Sequence, residues 1–318
     1  MFRKKEAIDS MKKVIVVGSL NMDLTIKVDN IPSKGETIQG HDFLLNAGGK
    51  GGNQAIAAVK SKAEVLFIGS VGKDPFGTEI LSSLKNNGIN TDYIDIQSTE
   101  PTGIAMIVCH ESDNRIIINP GANNSLSFDF AKEKLFELAK EEDIFVTQFE
   151  NDLSTTLKLI EYAKSIGMTT LLNPAPAKLF SSEYYKYIDI LVINQSECEM
   201  LTNIYPRSTE ECEKAANILK EKGAKNIVIT LGRHGSVTIT PDETIKISAH
   251  KVDAIDSTAA GDSFIGALSA QLSFGNSLKE ALIYATKVSA ITVTREGAQI
   301  SIPTLEQVNE FFKSKKEE

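Results

Sequence analysis

The chain has 318 residues, of which 42% are hydrophobic and 24% are charged, a composition typical of a folded protein with a sizeable core. Its formal net charge of −8 argues against a nucleic-acid-binding surface, which needs clustered lysine and arginine. No uninterrupted apolar run approaches the roughly 20 residues that span a bilayer, and the opening MFRKKEAIDSMKK has no apolar stretch like that of a secretory signal. The sequence therefore predicts a small-molecule partner, with neither nucleic acid nor membrane involved.

The N-terminal residues, the cysteines and the histidines suggest further expectations. Residues 1–10 precede the first predicted strand, and we expect them to be a disordered arm or to result from an upstream start. The three cysteines, Cys109, Cys198 and Cys212, form no CxxC pair, and the four histidines are isolated, so the sequence suggests neither a disulfide framework nor a zinc site. This cysteine usage favours a reducing, cytoplasmic location.

Short apolar runs alternate with stretches of helical period along most of the chain. Such alternation predicts repeated βαβ units, and so an α/β fold of three αβα layers, Rossmann-like, around a mostly parallel central sheet. One helix is predicted to open with a capping box from Ser208 to Glu211 and to stop at Gly223. The predicted strands of the central sheet are residues 14–17, 65–68, 144–146, 170–172, 190–193 and 227–229.

Two stretches, residues 22–47 and 102–119, break this rhythm. In the second, TGIAMIVCH and RIIIN read as the strands of a hairpin with no helix between them. Both stretches follow strands of the main sheet, so we expect them to form a small β-sheet lid over the edge where parallel α/β sheets bind ligands. The α/β core is then predicted to comprise residues 11–21, 48–101 and 120–318.

The segment KVDAIDSTAAGDSFIGALSAQL, residues 251–272, leads from a turn of small residues into an apolar helix. The amide groups from Ala259 to Gly261 would lie free at the helix N-terminus, where they can hold an anion such as a phosphate in transfer. Asp262, in the first turn, could then accept the proton of an attacking hydroxyl. Taken alone, the segment is equally consistent with a tightly packed helix start capped by an acid.

The segment NAGGKGGNQA, residues 46–55, surrounds Lys50 with glycines before a helix. It is not a Walker A loop, because Gly51 stands where that motif needs Ser or Thr, and the GxGxxG fingerprint is absent after the first strand. The glycines suit close approach of the backbone to a hydroxyl-rich ligand, with Lys50 and Asn53 as donors. A glycine-rich loop can also be only a mobile turn.

The loop GSLNMD, residues 18–23, offers the amide of Asn21 and the carboxylate of Asp23 at a strand end, suited to hydrogen bonds with sugar hydroxyls. With these segments in order, the chain resembles the ribokinase-like (PfkB) carbohydrate kinase family from Lys13 to about Pro303. The other segments that carry the resemblance are PGAN at 120–123, NPAPA at 173–177, NQSE at 194–197, TLGRHG at 230–235, DSTAAGD at 256–262 and TREGAQ at 294–299.

The resemblance implies ATP-dependent phosphorylation of a primary hydroxyl of a small sugar, with O5 of D-ribose as the leading candidate. A 2-deoxyribose, another sugar or a nucleoside stays open as substrate. The resemblance also implies Mg²⁺ and K⁺ as cofactors. Since nothing in its own chain covers the outer face of the small lid sheet, we expect a homodimer through the lids.

The resemblance assigns roles position by position. Asp262 would be the base, and the anion hole for the γ-phosphate would be formed by Ala259, Ala260 and Gly261. The sugar-binding positions would be Asn21, Asp23, Gly49, Lys50, Asn53, Glu150 and Asp262. The nucleotide positions would be Asn194, Glu197, Thr230, Gly232 and Gly261, of which Asn194 and Glu197 would act on Mg²⁺ through water. The monovalent cation would be held, mostly by main-chain carbonyls, at Asp256, Thr258, Thr292, Arg295, Gly297 and Ser301.

Two positions depart from the wider family: Ala259 stands where Gly is common, and Ser257 where Thr is common. The methyl group of Ala259 must leave room for the phosphate. Two other classes of protein compete with a kinase. A dinucleotide-dependent oxidoreductase lacks its phosphate fingerprint here, and a non-catalytic binding protein on the same fold would be expected to have lost Asp262 or Glu197.

Overall fold

The computed structural model describes residues 12–111 and 113–314, so the arm predicted at residues 1–10 lies outside the described residues. In the described part of the chain, nine strands form one sheet in the order β13-β12-β11-β10-β9-β8-β1-β4-β5. Its strands are β1 Val14–Val17, β4 Val65–Gly72, β5 Ile94–Gln97, β8 Ile144–Gln148, β9 Thr169–Asn173, β10 Ile190–Asn194, β11 Asn226–Thr230, β12 Ser236–Ile239 and β13 Thr244–Ile247. All neighbours are parallel except the β11–β12 and β12–β13 pairs at one edge, which are antiparallel.

Helices cover both faces of this sheet, and β1 shows why. Val14 and Val16 pack into one apolar cluster while Ile15 and Val17 pack into the other, because side chains alternate between the faces of a strand. The first cluster is closed by α1 Lys50–Lys60, α2 Pro75–Asn86, α7 Ala260–Ser273, α8 Leu278–Thr292 and α9 Leu305–Ser314. The second is closed by α3 Phe128–Leu138, α4 Leu153–Ser165, α5 Gln195–Thr202 and α6 Thr209–Glu221. The predicted three-layer αβα architecture is confirmed.

A separate small sheet forms the lid, as the sequence predicted. Within residues 12–111 and 113–314, its order is β3-β2-β6-β7, and all pairs are antiparallel except β2 with β6. Its strands are β2 Asn21–Val28, β3 Gly40–Gly48, β6 Gly103–His110 and β7 Asp113–Asn119. The segments TGIAMIVCH and RIIIN supply β6 and β7 of a hairpin, as predicted. Residues 22–47 and 102–119 as domain limits stay a prediction.

One local prediction was only half right. Ser208 caps α6 by accepting the amide of Glu211 at 3.3 Å, and the helix ends before Gly223, whose φ is 117°. The carboxylate of Glu211, however, accepts the amide of Arg207 at 2.6 Å instead of that of Ser208. The reciprocal bond of a capping box is therefore missing, because the longer side chain reaches the donor one residue further out. Across the described residues, no helix combines the length and apolar character that crossing a bilayer requires.

Candidate active site

Polar side chains lie at the carboxyl ends of four parallel strands of the large sheet. Gln148 ends β8, Asn173 ends β9, Asn194 ends β10 and Thr230 ends β11. Because parallel strands present their carboxyl ends at the same edge, these side chains converge there. Four of the predicted strands thus deliver a polar group to a single place.

Asp262 lies buried at this edge, in the first turn of α7, with 7% of its surface exposed. Each of its carboxylate oxygens accepts one hydrogen bond from a side-chain amide of α1. Asn53 Nδ2 donates to Oδ2 at 3.0 Å, and Gln54 Nε2 donates to Oδ1 at 3.0 Å. The carboxylate is therefore held from both sides, and each oxygen keeps capacity for a further hydrogen bond.

Glu150 joins the other predicted sugar-binding residues. Its Oε2 accepts Ser19 Oγ at 2.6 Å, the main-chain amide of Lys50 at 3.0 Å and Asn21 Nδ2 at 3.4 Å. Gly49, which precedes α1, has φ of 84°, and a Cβ there would lie 2.7 Å from the amide nitrogen of Asn21. Only glycine allows the loop to pass this close, so it brings Lys50 and Glu150 together.

Burial and crowding of carboxylates dominate the electrostatics. Burial, with the nearby charges of Glu150 and Asp262, raises the pKa of Asp23 to about 7. Burial by itself would lower the pKa of the Lys50 ammonium, but the carboxylates of Asp262, Glu150, Glu197 and Asp23 raise it above its ordinary value. Lys50 is therefore a firmly charged cation that neutralises a cluster of acids.

Beside Asp262 and Lys50 lies a cavity of about 200 Å³. Its wall contains the predicted base, the predicted anion-hole residues and four of the five predicted nucleotide-site residues, since Gly261 belongs to both sets. The lining side chains and backbone belong to Lys50, Asn173, Ala175, Val192, Ile193, Asn194, Glu197, Thr230, Ser257, Ala259, Ala260, Gly261, Asp262 and Ile265. The arrangement sets a buried carboxylate and an ammonium beside a helix N-terminus, a combination suited to phosphoryl transfer.

The family model described as pfkB family carbohydrate kinase matches residues 11–305. The chain belongs to the pfkB family of carbohydrate kinases. It is 37% identical to the ribokinase of Haemophilus influenzae over 95% of this chain and 98% of that one, and 36% identical to the deoxyribokinase of Salmonella typhi over 94% and 98%. It is also similar to the structure of Arabidopsis thaliana ribokinase complexed with ribose and ATP, at 28% identity and a TM-score of 0.85 over 94% of this chain and 98% of that one.

In this pfkB kinase, Asn194 and Glu197 form a complete capping box at the start of α5. The amide and Nδ2 of Asn194 donate to Glu197 Oε2 and Oε1 at 2.9 and 3.0 Å, and the amide of Glu197 donates to Asn194 Oδ1 at 2.8 Å. Burial raises the pKa of Glu197, against the opposing effects of the Asn194 hydrogen bond and of Lys50. Both carboxylate oxygens are thus engaged, and the side chain faces the cavity in a fixed orientation.

The amides of the predicted anion hole are not all free. Ala259 adopts the left-handed conformation at φ 58° and α7 begins at Ala260. The amide of Ala260, predicted to be free, donates to the carbonyl of Ser257 at 3.2 Å, because the left-handed residue folds the loop back on itself. Gly261 is exposed at the cavity wall.

The predicted cation residues fall into two groups. Asp256 ties two loops together: its Oδ1 accepts the amide and hydroxyl of Thr258 at 2.9 and 2.6 Å, and its Oδ2 accepts the amide of Gly297 at 2.9 Å. The other three side chains turn elsewhere: Thr292 donates to the Val288 carbonyl, Arg295 to Gln307 and Ser301 to the Ala298 carbonyl. That the chain holds a monovalent cation at these positions, mostly through main-chain carbonyls, stays a prediction. Gly232, assigned to the nucleotide, begins an exposed 3₁₀ turn after β11.

Sequence reasoning missed four polar residues that build this site. Ser19 joins Glu150 to the amide of Gly51, which donates to its hydroxyl at 3.2 Å. Asn123 donates to Asn21 Oδ1 at 2.8 Å, and Gln54 and Gln148 form the amide chain behind Asp262. PGAN and GGNQA had drawn notice as segments, but no spacing rule separates their buried amides from surface ones.

Proposed function

We propose that the chain transfers the γ-phosphate of ATP to O5 of D-ribose, giving D-ribose 5-phosphate and ADP, with Asp262 as general base. The observation that carries this proposal is the buried carboxylate of Asp262 at the N-terminus of α7, in the wall of a cavity shared with Lys50 and Glu197. The similarity to a ribokinase bound to ribose and ATP supports the choice of substrates.

The base acts on the sugar hydroxyl. The carboxylate of Asp262, held by Asn53 and Gln54, takes the proton of O5 while O5 forms its bond to the γ-phosphorus. The bond from that phosphorus to the bridging oxygen breaks in the same step, and ADP leaves. Asp23, Asn21 and Glu150 lie on the lid side of Asp262, and they would hold the other hydroxyls so that O5 faces the base.

The transferred phosphoryl group would lie at the start of α7. Its charge would be met there by the amide of Gly261, a residue exposed at the cavity wall, and by the positive end of the helix dipole. The ammonium of Lys50, kept charged by four carboxylates, adds a full positive charge at the same cavity. The wall therefore stabilises negative charge as it develops on the γ-phosphate.

Mg²⁺ would neutralise the phosphate oxygens when it is bound. Both oxygens of Glu197 already accept hydrogen bonds from Asn194, so this carboxylate suits a role through metal-bound water better than direct ligation. Among the described residues, no group of three or more His, Cys, Asp or Glu side chains could hold a metal ion. That result fits an ion carried mainly by phosphates and water.

A monovalent cation would add positive charge behind the anion hole. The fit rests on Asp256, which is half-buried, and on the main-chain carbonyls of the loop at residues 292–301. We expect activation by K⁺ more than by Na⁺, since the ion would organise the two loops without touching substrate. Equal rates with K⁺, Na⁺ and a bulky organic cation at matched ionic strength would remove this part of the proposal.

A substrate panel tests the function. Pentoses, hexoses and nucleosides are offered with ATP and Mg²⁺, and ADP release is followed. We expect D-ribose to give the highest kcat/KM. The second candidate is 2-deoxyribose, favoured by the similarity to the deoxyribokinase, and its preference over ribose would replace the proposed substrate. No ADP release with any sugar would indicate a non-catalytic binding protein.

A homodimer through the lids is also proposed. The strand register places Leu45, Leu24, Met106 and Ile117 in one row across all four lid strands, on the face opposite Asp23. Ile117 is 68% exposed, Leu45 51% and Met106 50%, so the row is an apolar stripe open to a second copy. Light scattering at micromolar concentration should give a dimer, and Ile117→Lys a monomer. A fully active wild-type monomer would contradict the proposal. The cytoplasmic location remains a prediction.

A further inference from the structure

A chain of buried side-chain amides lies behind Asp262, on the side away from the lid. Gln148, at the end of β8, donates through Nε2 to Gln54 Oε1 at 2.7 Å, and Gln54 donates through Nε2 to Asp262 Oδ1 at 3.0 Å. Gln54 and Gln148 are both 0% exposed. Neither residue lines the cavity or belongs to the predicted ligand set.

The carboxylate fixes the orientation of both amides. Ionised Asp262 can only accept, so Gln54 must turn its NH₂ group toward it and its carbonyl oxygen away. That oxygen can only accept, so Gln148 must turn its NH₂ group toward it. The second hydrogen of Gln54 Nε2 points to Asn173 Oδ1 at 3.5 Å, and Asn173 Nδ2 is held by the carbonyl of Val192 at 3.1 Å. The central sheet thereby fixes one face of the carboxylate.

The pair of buried amides destabilises the fold if its only role is packing. Gln148 Oε1 is buried and accepts no hydrogen bond from residues 12–111 or 113–314, and it is pressed against Gly18, where an added Cβ would lie 2.3 Å away. A buried acceptor without a partner loses its hydration and gains nothing in return, whereas an apolar side chain at a buried strand end carries no such cost. The polar pair is therefore better explained by what it does for Asp262.

We propose that Gln54 and Gln148 are positioning residues for the phosphoryl transfer, which act together to hold Asp262 in the plane and charge state that proton abstraction needs. This inference rests on the proposed function. Gln54 acts directly on Oδ1, while Gln148 acts only through Gln54. Asn53 secures the other oxygen from the sugar side, so the carboxylate cannot rotate away from O5.

Three variants test the role of the two buried amides: Gln54→Met, Gln148→Met and the double variant. Methionine keeps the length of the side chain and removes the amide. For Gln54→Met we expect kcat to fall by roughly 10-fold to 100-fold while the KM for ribose changes by less than about threefold, because a misplaced base affects the chemical step. Gln148→Met should show a smaller fall. The double variant should be no worse than Gln54→Met, since Gln148 has no route to Asp262 except through Gln54.

The acid limb of the pH profile of kcat distinguishes a positioning role of Gln54 from a packing role. Loss of a donor to the charged form favours protonation, so the limb should move to higher pH in Gln54→Met. Lys50, Asp23 and Glu197 also act electrostatically on this carboxylate, and measurement at saturating ribose limits the contribution of Asp23. Ser269→Ala is the matched control, since it removes a buried hydrogen bond within α7, to Gly266, and should leave the limb in place.

A measurement without substrate keeps this inference separate from the proposed function. In protein labelled with ¹³C at aspartate carboxyls, the Asp262 resonance is identified by its loss in Asp262→Asn, and it should titrate at higher pH in Gln54→Met. If Gln54→Met does not fold, Gln54→Glu keeps the shape, replaces the donor by an acceptor and should shift the titration further upward. An unchanged Asp262 titration, or a Gln148→Met effect that adds fully to that of Gln54→Met, would overturn the inference even in an active kinase. Absence of turnover in wild type would instead reject the function.

Discussion

The two halves of the cleft hold their groups by different means. On the sugar side the groups are side chains: the buried Asp23 and the half-buried Lys50 and Glu150 form a cluster of charges coupled to Asp262. On the phosphate side, main-chain groups at the start of α7 face the cavity, in loops joined by Asp256. The sugar half should therefore respond to changes of charge and pH, and the phosphate half to changes of backbone shape.

Removing the cation of the sugar half should have the largest effect on the fold. Lys50→Met leaves the carboxylates of Asp23, Glu150 and Asp262 without their neutralising charge. Removing one partner from opposite charges in a buried site typically costs about 3–5 kcal/mol, and we expect a loss of that order in the free energy of unfolding. The loss should grow from pH 6 to pH 8 as Asp23 ionises. Urea unfolding at both pH values measures it.

Lys62→Met is the control for that experiment. Lys62 pairs with Glu306 at 3.0 Å on the surface, and its side chain is 55% exposed, so its removal should cost less than about 1 kcal/mol. Equal stability of the two variants at pH 8 would show that Lys50 does not neutralise the cluster.

The pH dependence of sugar binding should follow Asp23. Burial first, then Glu150 and Asp262, raise the pKa of Asp23 from 3.8 to about 7, so the carboxylate that we propose accepts sugar hydroxyls is lost as the pH falls through 7. We expect kcat/KM for ribose to fall about tenfold per pH unit below this value. The sign for folding is opposite: because the folded pKa is raised, the group stabilises the folded state as the pH decreases from 7 toward 3.8.

Asp23→Asn should abolish both effects. The variant should show a raised KM for ribose, a kcat/KM that no longer falls near pH 7 and a nearly unchanged kcat, because the hydroxyls that we propose Asp23 binds are remote from the transferred phosphate. Calorimetric titration of ribose at pH 6 and 8 gives the same comparison without turnover. Retention of the wild-type profile in Asp23→Asn would assign it to another group.

A backbone change on the phosphate side should have the smallest effect on stability. Ala259 adopts a left-handed conformation at φ 58°, which costs an alanine roughly 1–2 kcal/mol, while glycine adds about 0.4–1 kcal/mol of conformational entropy to the unfolded chain. These terms oppose each other, so Ala259→Gly should change the free energy of unfolding by less than about 1 kcal/mol. Thermal unfolding tests this, and a destabilisation well above that size would mean that the methyl group has a packing role.

The sequence predicted the large sheet wherever burial left a run of apolar residues, as in β1 and β10. It did not predict the edge strands β5 and β13, or β12, the four-residue strand between β11 and β13; all three are short and mix polar with apolar residues. Edge strands need fewer apolar side chains, so hydrophobic runs fail to detect them.

The site was predictable where its residues stand in a distinctive segment, as Asp262 does in DSTAAGD. The amide chain was not, since Gln54 and Gln148 are 94 residues apart and meet only when β8 and α1 pack at one sheet edge. The hydrogen bond of the Ala260 amide also escaped prediction, because it depends on the backbone angle of Ala259.

The most direct test of the account is the kinetics of Asp262→Asn. The substitution keeps the shape of the side chain and removes its capacity to accept a proton. General-base catalysis is typically worth ~10²–10⁴ in rate, so kcat should fall by about that factor while ribose and ATP bind nearly as in wild type. The substitution removes a charge at a helix end, worth about 1 kcal/mol, and leaves one of the donors Asn53 and Gln54 unpaired, which costs about 1–3 kcal/mol. Circular dichroism should still show a folded protein. A folded Asp262→Asn that phosphorylates ribose within about threefold of the wild-type rate would contradict the assignment of Asp262 as the base.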